Sequence, residues 1–260
     1  MRTNRVKERL RAGRPTVGCF LGLGSPNVAE LLGHAGFDWL VVETEHNGLD
    51  SAEIQHMLMA IASSEAVPIV RVASANPVFI QRALDLGGEG ILVPLVRTAA
   101  EAEVIVRATR FPPAGTRSWG PLRASRYTFD NRDYMDRAND NVLVALILET
   151  REAVENLDAI AAVPGVDVIF LGPADLSLAY GVDFLTGIHP PVKAAIEKMI
   201  AACKKHGKAS GIGDTTAAGI AGWMERGCTF MTYSTDYSLL AGAVRDGLAE
   251  LKALPAYGGA

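Results

Sequence analysis

Four apolar runs in this 260-residue chain each end in residues able to do chemistry. Trp39-Leu-Val-Val leads into Glu43-Thr44-Glu45-His46, and Pro68-Ile-Val leads into Arg71. Val142-Leu-Val-Ala-Leu-Ile-Leu leads into Glu149, and Val168-Ile-Phe-Leu leads into Gly172-Pro173-Ala174-Asp175. Parallel α/β proteins build active sites from charged groups carried at the tips of buried strands.

Each group has a chemical reading and a plainer one. Glu149 and Asp175, with no Cys or His ligand beside them, favour a hard divalent ion such as Mg²⁺ or Mn²⁺ that keeps positions open for water or a chelating substrate. Either acid alone would also serve as a helix cap. Arg71 suits a substrate carboxylate or a developing oxyanion, or a structural ion pair with Glu43 or Glu45. The imidazole of His46 suits proton transfer, or stands as a hydrogen-bonded loop histidine. The small residues of Gly172-Pro173-Ala174-Asp175 leave backbone N–H groups open where a helix starts, which is an anion site, or form an ordinary turn. Taken together the groups point to metal-assisted chemistry on a carboxylate, with a 2-oxo acid chelating through its keto and carboxylate oxygens. Lysine usage argues against the covalent route. No lysine lies between Lys7 and Lys193, and Lys208 opens a strand at the barrel face opposite the site, so a Schiff base has no well-placed amine.

These tips need a scaffold. Expected strands are Val17–Leu23, Trp39–Val42, Pro68–Val70, Ile91–Val93, Val142–Leu148, Val168–Leu171, Lys208–Ile212 and Phe230–Tyr233, with helices near 26–35, 51–64, 77–86, 98–109, 151–161, 190–206, 215–226 and 235–252. Ser25-Pro26 and Asn76-Pro77 place a capping side chain before an N1 proline. Asp50-Ser-Ala-Glu53 and Thr150-Arg-Glu152 put acids into first turns. Eight strands alternating with helices over about 250 residues predict a single (β/α)8 TIM barrel spanning 1–260. A doubly wound sheet is the alternative, without a GxGxxG motif to support it. Two irregular stretches, 110–140 and 181–190, have the composition of lids or of surface excursions. The tail from Leu254 to Ala260 reads as a frayed end.

Composition excludes several classes. The chain is 49% hydrophobic and carries 25 Lys plus Arg against 29 Asp plus Glu, a mildly acidic balance unlike that of a nucleic-acid binder. No apolar run approaches the ~20 residues of a membrane span, and the basic start is not followed by a signal-type apolar stretch. A cytoplasmic location is expected. Cys19, Cys203 and Cys228 lack metal or disulfide spacing.

Several motifs, in order along residues 5–250, resemble the HpcH/HpaI family of class II, metal-dependent pyruvate aldolases. They include Ala35-Gly-Phe-Asp-Trp39, Glu43-Thr-Glu-His46, Leu84-Asp-Leu-Gly87, Gly90-Ile-Leu-Val-Pro94, Arg107-Ala-Thr-Arg-Phe-Pro-Pro-Ala-Gly115 and Gly172-Pro-Ala-Asp-Leu-Ser177. The resemblance implies a phosphoenolpyruvate/pyruvate-type barrel, a homohexamer built as a dimer of trimers with the last helix exchanged between subunits, and reversible aldol cleavage of a 2-oxo acid with an aldehyde as partner. It implies that Glu149 and Asp175 hold Mg²⁺, Mn²⁺ or Co²⁺ and that Arg71 stabilises the enolate oxygen. His46 would be the general base, acting through a metal-bound water, with Asp85 of an adjacent subunit raising its basicity. Gly172, Pro173, Ala174 and Asp175 would line the substrate, the Ala174 amide holding its carboxylate. Glu43 and Glu45 would support the site from behind. Three positions depart from the familiar pattern: Glu43 for Asp, Ile147 for Gln and Gly213 for Leu. The core chemistry survives these changes and the aldehyde partner is left open. Pyruvate and hydroxypyruvate are both candidate donors. An oxaloacetate decarboxylase and an inactive 2-oxo-acid-binding barrel are the alternatives.

Overall fold

A computed structural model describes residues 1–255 and Tyr257. Eight parallel strands close into a barrel in sequence order. They are β1 (Thr16–Leu21), β2 (Trp39–Glu43), β3 (Val67–Arg71), β4 (Gly90–Val93), β5 (Leu143–Leu148), β6 (Val168–Leu171), β7 (Ala209–Asp214) and β8 (Phe230–Thr235). The helices are α1 (Arg5–Arg11), α2 (Pro26–His34), α3 (Ser51–Ile61), α4 (Pro77–Asp85), α5 (Ala99–Ala108), α6 (Asn131–Asn141), α7 (Arg151–Glu155), α8 (Leu157–Ala161), α9 (Pro173–Tyr180), α10 (Pro190–His206), α11 (Ala217–Glu225) and α12 (Asp236–Lys252). The expected eight-stranded barrel is what the chain forms.

Because a strand turns its side chains to alternate faces, every strand feeds two cores. Leu40, Val42, Val144, Leu146, Ile169 and Leu171 face outward and pack against the helices. Trp39, Val41, Val67, Ile69, Leu143, Ala145, Ile147, Val168 and Phe170 fill the interior. Sheets covered on both faces read as continuous apolar runs, which is why these strands stand out in the sequence. The same alternation fixes what comes next at the tips: Glu43 follows Trp39 and Val41 inward, and Arg71 follows Val67 and Ile69. Near the other end Trp39 stacks on Phe230 at 4.0 Å between ring centroids. Gly18 makes that stack possible, since a Cβ there would lie 2.1 Å from the indole. Val6 of α1 joins the same interior cluster, with Leu10 packed against it.

The caps form as expected. The Ser25 and Asn76 side chains accept from Val28 and Val78 N–H, and Asp50 with Glu53 closes a reciprocal capping box. The helices depart from expectation in four places. α1, α6 and α9 lie outside the expected helical spans, although the start of α9 was one reading of Gly172–Asp175, and the 151–161 helix is two pieces, α7 and α8, meeting at Asn156. α6 is polar on most of its surface and buries only Tyr134, Ala138 and Asn141, a sparse inward stripe. Of the tail, residues 256 and 258–260 lie outside the described residues. Among the described residues no helix is long and apolar enough to cross a membrane.

One buried acid gives the fold a pH dependence. Glu89, just before β4, accepts from Arg2 Nε at 2.8 Å, while its Oε2 is buried without a partner among the described residues. Burial pushes its pKa from 4.5 to about 6, against the pull of Arg2. The folded state therefore keeps this proton to higher pH than the unfolded chain does. The stability it contributes is full below 4.5 and is lost as pH rises through about 6, on the order of 2 kcal/mol. Glu89→Gln should flatten the difference in urea midpoint between pH 4.5 and 6.5 relative to the parent; an unchanged slope would reject the assignment.

Candidate active site

The C-terminal ends of the strands open into a cavity of about 760 Å³. Glu43, His46, Arg71, Glu149, Gly172, Pro173, Ala174 and Asp175 all line it, so the residues at the four strand tips meet in one place.

Glu43 and Arg71 are brought together by register, being directly paired positions of β2 and β3. The guanidinium donates to Glu43 Oε2 through Nε and Nη2, and its Nη1 lies 3.3 Å from Glu45 Oε2. The other Glu43 oxygen accepts from the Glu45 and His46 amides at 2.6 and 3.1 Å. Glu43 therefore shapes the turn that presents His46 and also holds Arg71. The structural ion pair and the cavity-facing cation are one arrangement: Arg71 is fixed by two acids, covers the Phe20 ring at 5.1 Å and still faces the cavity. His46 has an exposed ring, with Nε2 3.6 Å from Glu45 Oε2. Burial raises the Glu45 pKa, opposed chiefly by Arg71.

Glu149 is 5% exposed. One oxygen accepts the Leu95 amide at 2.8 Å. Burial pushes its pKa from 4.5 to about 7; the Leu95 hydrogen bond opposes this, and the nearby charges of Asp175 and Glu45 add to it. A Cβ on Gly172 would come within 2.7 Å of Glu149 Oε2, so the missing side chain makes room for the carboxylate. Asp175 stands exposed in the first turn of α9. Among the described residues no group of three or more His, Cys, Asp or Glu forms a metal cluster. The donor set is two carboxylates, one buried and surrounded by further negative charge. That suits a hard cation which keeps several water or substrate ligands, and the residues fit such an ion.

The start of α9 offers donors as well. It has no side-chain cap. The Gly172 amide donates to the Leu148 carbonyl at 3.2 Å, and Pro173 has no N–H. The Ala174 and Asp175 amides are thus the ones left at this helix N-terminus, where an anion is favoured.

Ile147, one of the three departures from the familiar pattern, lines the cavity. Several other lining residues were not anticipated: Phe20, Asn47, Phe170, Thr215, Thr232 and Tyr237 contribute wall. Thr232 follows Phe230 inward by strand alternation, a signal present in the sequence, and its buried Oγ1 has no partner among the described residues. Gly213, on the same strand face as Gly211, sits beside Thr232, the nearest atom to a Cβ there being 3.7 Å away. Of the two irregular stretches, 181–190 reaches the cavity through Phe184, whereas 110–140 does not line it. That segment packs against α4 instead, with Arg123 donating to the Leu86 carbonyl. Asp85 ends α4, a helix running opposite to the strands, so it lies toward the far rim. Its Oδ1 accepts from the fully buried Arg117 at 2.7 Å. Within one chain it does not join His46. No lysine lines the cavity.

The profile of the family described as HpcH/HpaI aldolase/citrate lyase matches residues 16–242. A protein named hydroxypyruvate/pyruvate aldolase from Pseudomonas aeruginosa is 42% identical, over 94% of this chain and 91% of its own length. One named 4-hydroxy-2-oxo-heptane-1,7-dioate aldolase from Shigella sonnei is 44% identical, over 92% of both. The crystal structure of an HpcH/HpaI aldolase/citrate lyase family protein from Burkholderia cenocepacia superposes with a TM-score of 0.91 at 38% identity, covering 96% of this chain and all of the other. The chain belongs to the HpcH/HpaI aldolase/citrate lyase family.

Proposed function

We propose that this chain is a divalent-metal-dependent aldolase that makes or breaks a carbon–carbon bond between the enolate of pyruvate, or hydroxypyruvate, and an aldehyde. The observation that carries the reading is the convergence of Glu149, Asp175 and Arg71 on one cavity beside free helix-start amides. The names of the 42% and 44% identical relatives support the same chemistry.

Glu149 and Asp175 would hold the ion, which when bound acts as a Lewis acid toward the keto oxygen of the substrate. The Ala174 amide would hold the 2-oxo acid's carboxylate, with Gly172, Pro173 and Asp175 around it. Arg71, fixed by Glu43 and Glu45, would donate to the enolate oxygen as its charge develops, so it stabilises the transition state more than the ground state. His46 would take the proton from the hydroxyl of the bond being cleaved and return it in the addition direction. Asp85 would position His46 from a neighbouring subunit, a role open to it because its side chain is partly exposed. Thr232, Ile147 and Phe184 would meet the aldehyde portion, and Gly213 would leave that end wide.

Assembly as a dimer of trimers with α12 exchanged belongs to the same proposal. Leu240, Val244, Leu248 and Leu251 recur at helical spacing along α12, each about half exposed, a stripe one barrel leaves uncovered. A cytoplasmic setting is supported by three free cysteines.

Gly172→Ala tests the metal site without touching a ligand. The added methyl should displace the Glu149 carboxylate and lower Mg²⁺ affinity by ~10–100-fold, with the fold retained, as read by calorimetric titration. Unchanged affinity would count against Glu149. The reaction itself is tested by aldol addition of pyruvate and hydroxypyruvate to a panel of aldehydes, run beside oxaloacetate decarboxylation. Metal-dependent adduct formation faster than decarboxylation is expected. Decarboxylation without any aldol product would overturn the reading.

A further inference from the structure

A second cavity, of about 340 Å³, opens at the opposite rim of the barrel, between α1, α6, the segment after α5 and the loops entering β6 and β7. Four basic side chains, Lys7, Arg11, Arg110 and Lys208, face two acids, Asp140 and Asp167. That is a local excess of cations in a chain whose net charge is −4.

Two of the four are committed. Lys7 Nζ donates to the Val142 carbonyl at 2.7 Å and pairs with Asp167 at 2.9 Å. Lys208 Nζ donates to the Val163 and Val166 carbonyls at 3.2 and 2.9 Å. These lysines serve the carbonyl-rich ends of elements that terminate at this rim. Arg110 is different. It is 8% exposed, its Nη1 is buried without a hydrogen-bond partner, and among the described residues no carboxylate comes within ion-pair distance of it. Burial pulls its pKa down, with Asp167 and Asp140 opposing from further off. Buried guanidinium N–H groups are almost always satisfied, because leaving one unmatched costs roughly 1–3 kcal/mol or more. The planar fork of arginine donors matches carboxylate and phosphate oxygens. Arg11 is exposed and lines the same cavity.

We propose that this rim cavity binds a small multivalent oxyanion, gripped by Arg110 from within and by Arg11 at the mouth. The site lies at the barrel end remote from the strand tips, so its occupant is not the substrate of the cavity above. It would tie α1 to the loops that enter β6 and β7 and stabilise the fold. The inference is independent of the aldolase reading.

The test is a titration of the full chain with inorganic phosphate, and separately with malonate, at constant ionic strength set by chloride. Melting temperature and the ³¹P linewidth are the readouts. A saturable rise in melting temperature is expected with at least one anion; phosphate would identify a phosphate-bearing ligand, malonate a dicarboxylate. Arg110→Met should weaken binding at least tenfold, Arg11→Ala by a smaller factor, and both should keep the basal activity. Should Arg110→Met fail to fold, the parent and Arg11→Ala decide. Absence of saturable binding of either anion, or equal affinity in parent and Arg110→Met, would overturn the proposal.

Discussion

Glu149→Ala is expected to leave a folded protein with more than ~10²-fold weaker divalent-metal affinity and a matching loss of turnover, since loss of an outer partner alone costs 10–100-fold. The fold should survive because the residue's burial works against its charge, as the rise of its pKa to about 7 records. What alanine does remove is the acceptor for the Leu95 amide. Glu149→Gln separates the two effects. It keeps an oxygen for Leu95 while abolishing the anion, so it should restore any lost melting temperature but not metal binding. Calorimetric titration with Mg²⁺ beside thermal melts reads both. Full affinity in Glu149→Gln would remove this residue from the metal site.

Arg71→Ala is expected to lower kcat by ~10²–10³-fold, by analogy with loss of a single oxyanion donor. Part of any activity loss would be structural, because the substitution strands Glu43, which is 5% exposed, beside Glu45. Removing one partner of a buried pair costs about 3–5 kcal/mol. Arg71→Lys keeps a cation between the two acids and should recover most of the stability. It should not recover the rate, because an ammonium lacks the planar donor fork that reaches both acids and substrate. Comparing kcat per folded molecule in the two variants tests the assignment. A lysine variant with parental kcat would reduce Arg71 to a structural counter-ion.

The barrel and most of its site were legible because strand alternation writes both into the same residues. In β2, β3 and β5 the odd-numbered positions carry Trp39, Val41 and Glu43, then Val67, Ile69 and Arg71, then Leu143, Ala145 and Ile147 running on to Glu149. One register therefore predicts both the interior core and the groups at the tips. Elements whose partners are distant were harder to see. α1 closes the barrel with two residues, Val6 and Leu10, too few to announce a helix by periodicity. α6 shows mainly polar surface. α9 shows in the sequence only through its start, Gly172-Pro173-Ala174-Asp175, because its buried residues, Leu176 and Ser177, are adjacent and make no helical stripe. Contacts between remote segments were invisible: nothing local ties Arg117 to Asp85 or brings Phe184 to the cavity wall. The tie between Glu43 and the amides of the turn carrying His46 was also hidden, since it depends on where the chain bends after β2.

The central claim is that a divalent ion held by Glu149 and Asp175 is required for enolate chemistry in this cavity. Its most direct test is pyruvate release from a 4-hydroxy-2-oxo acid, followed before and after exhaustive treatment with EDTA and after adding back Mg²⁺, Mn²⁺ or Co²⁺. Turnover should vanish on chelation and return with at least one of the three ions, in the parent but not in Glu149→Ala. Turnover that persists in the metal-stripped protein would contradict the account.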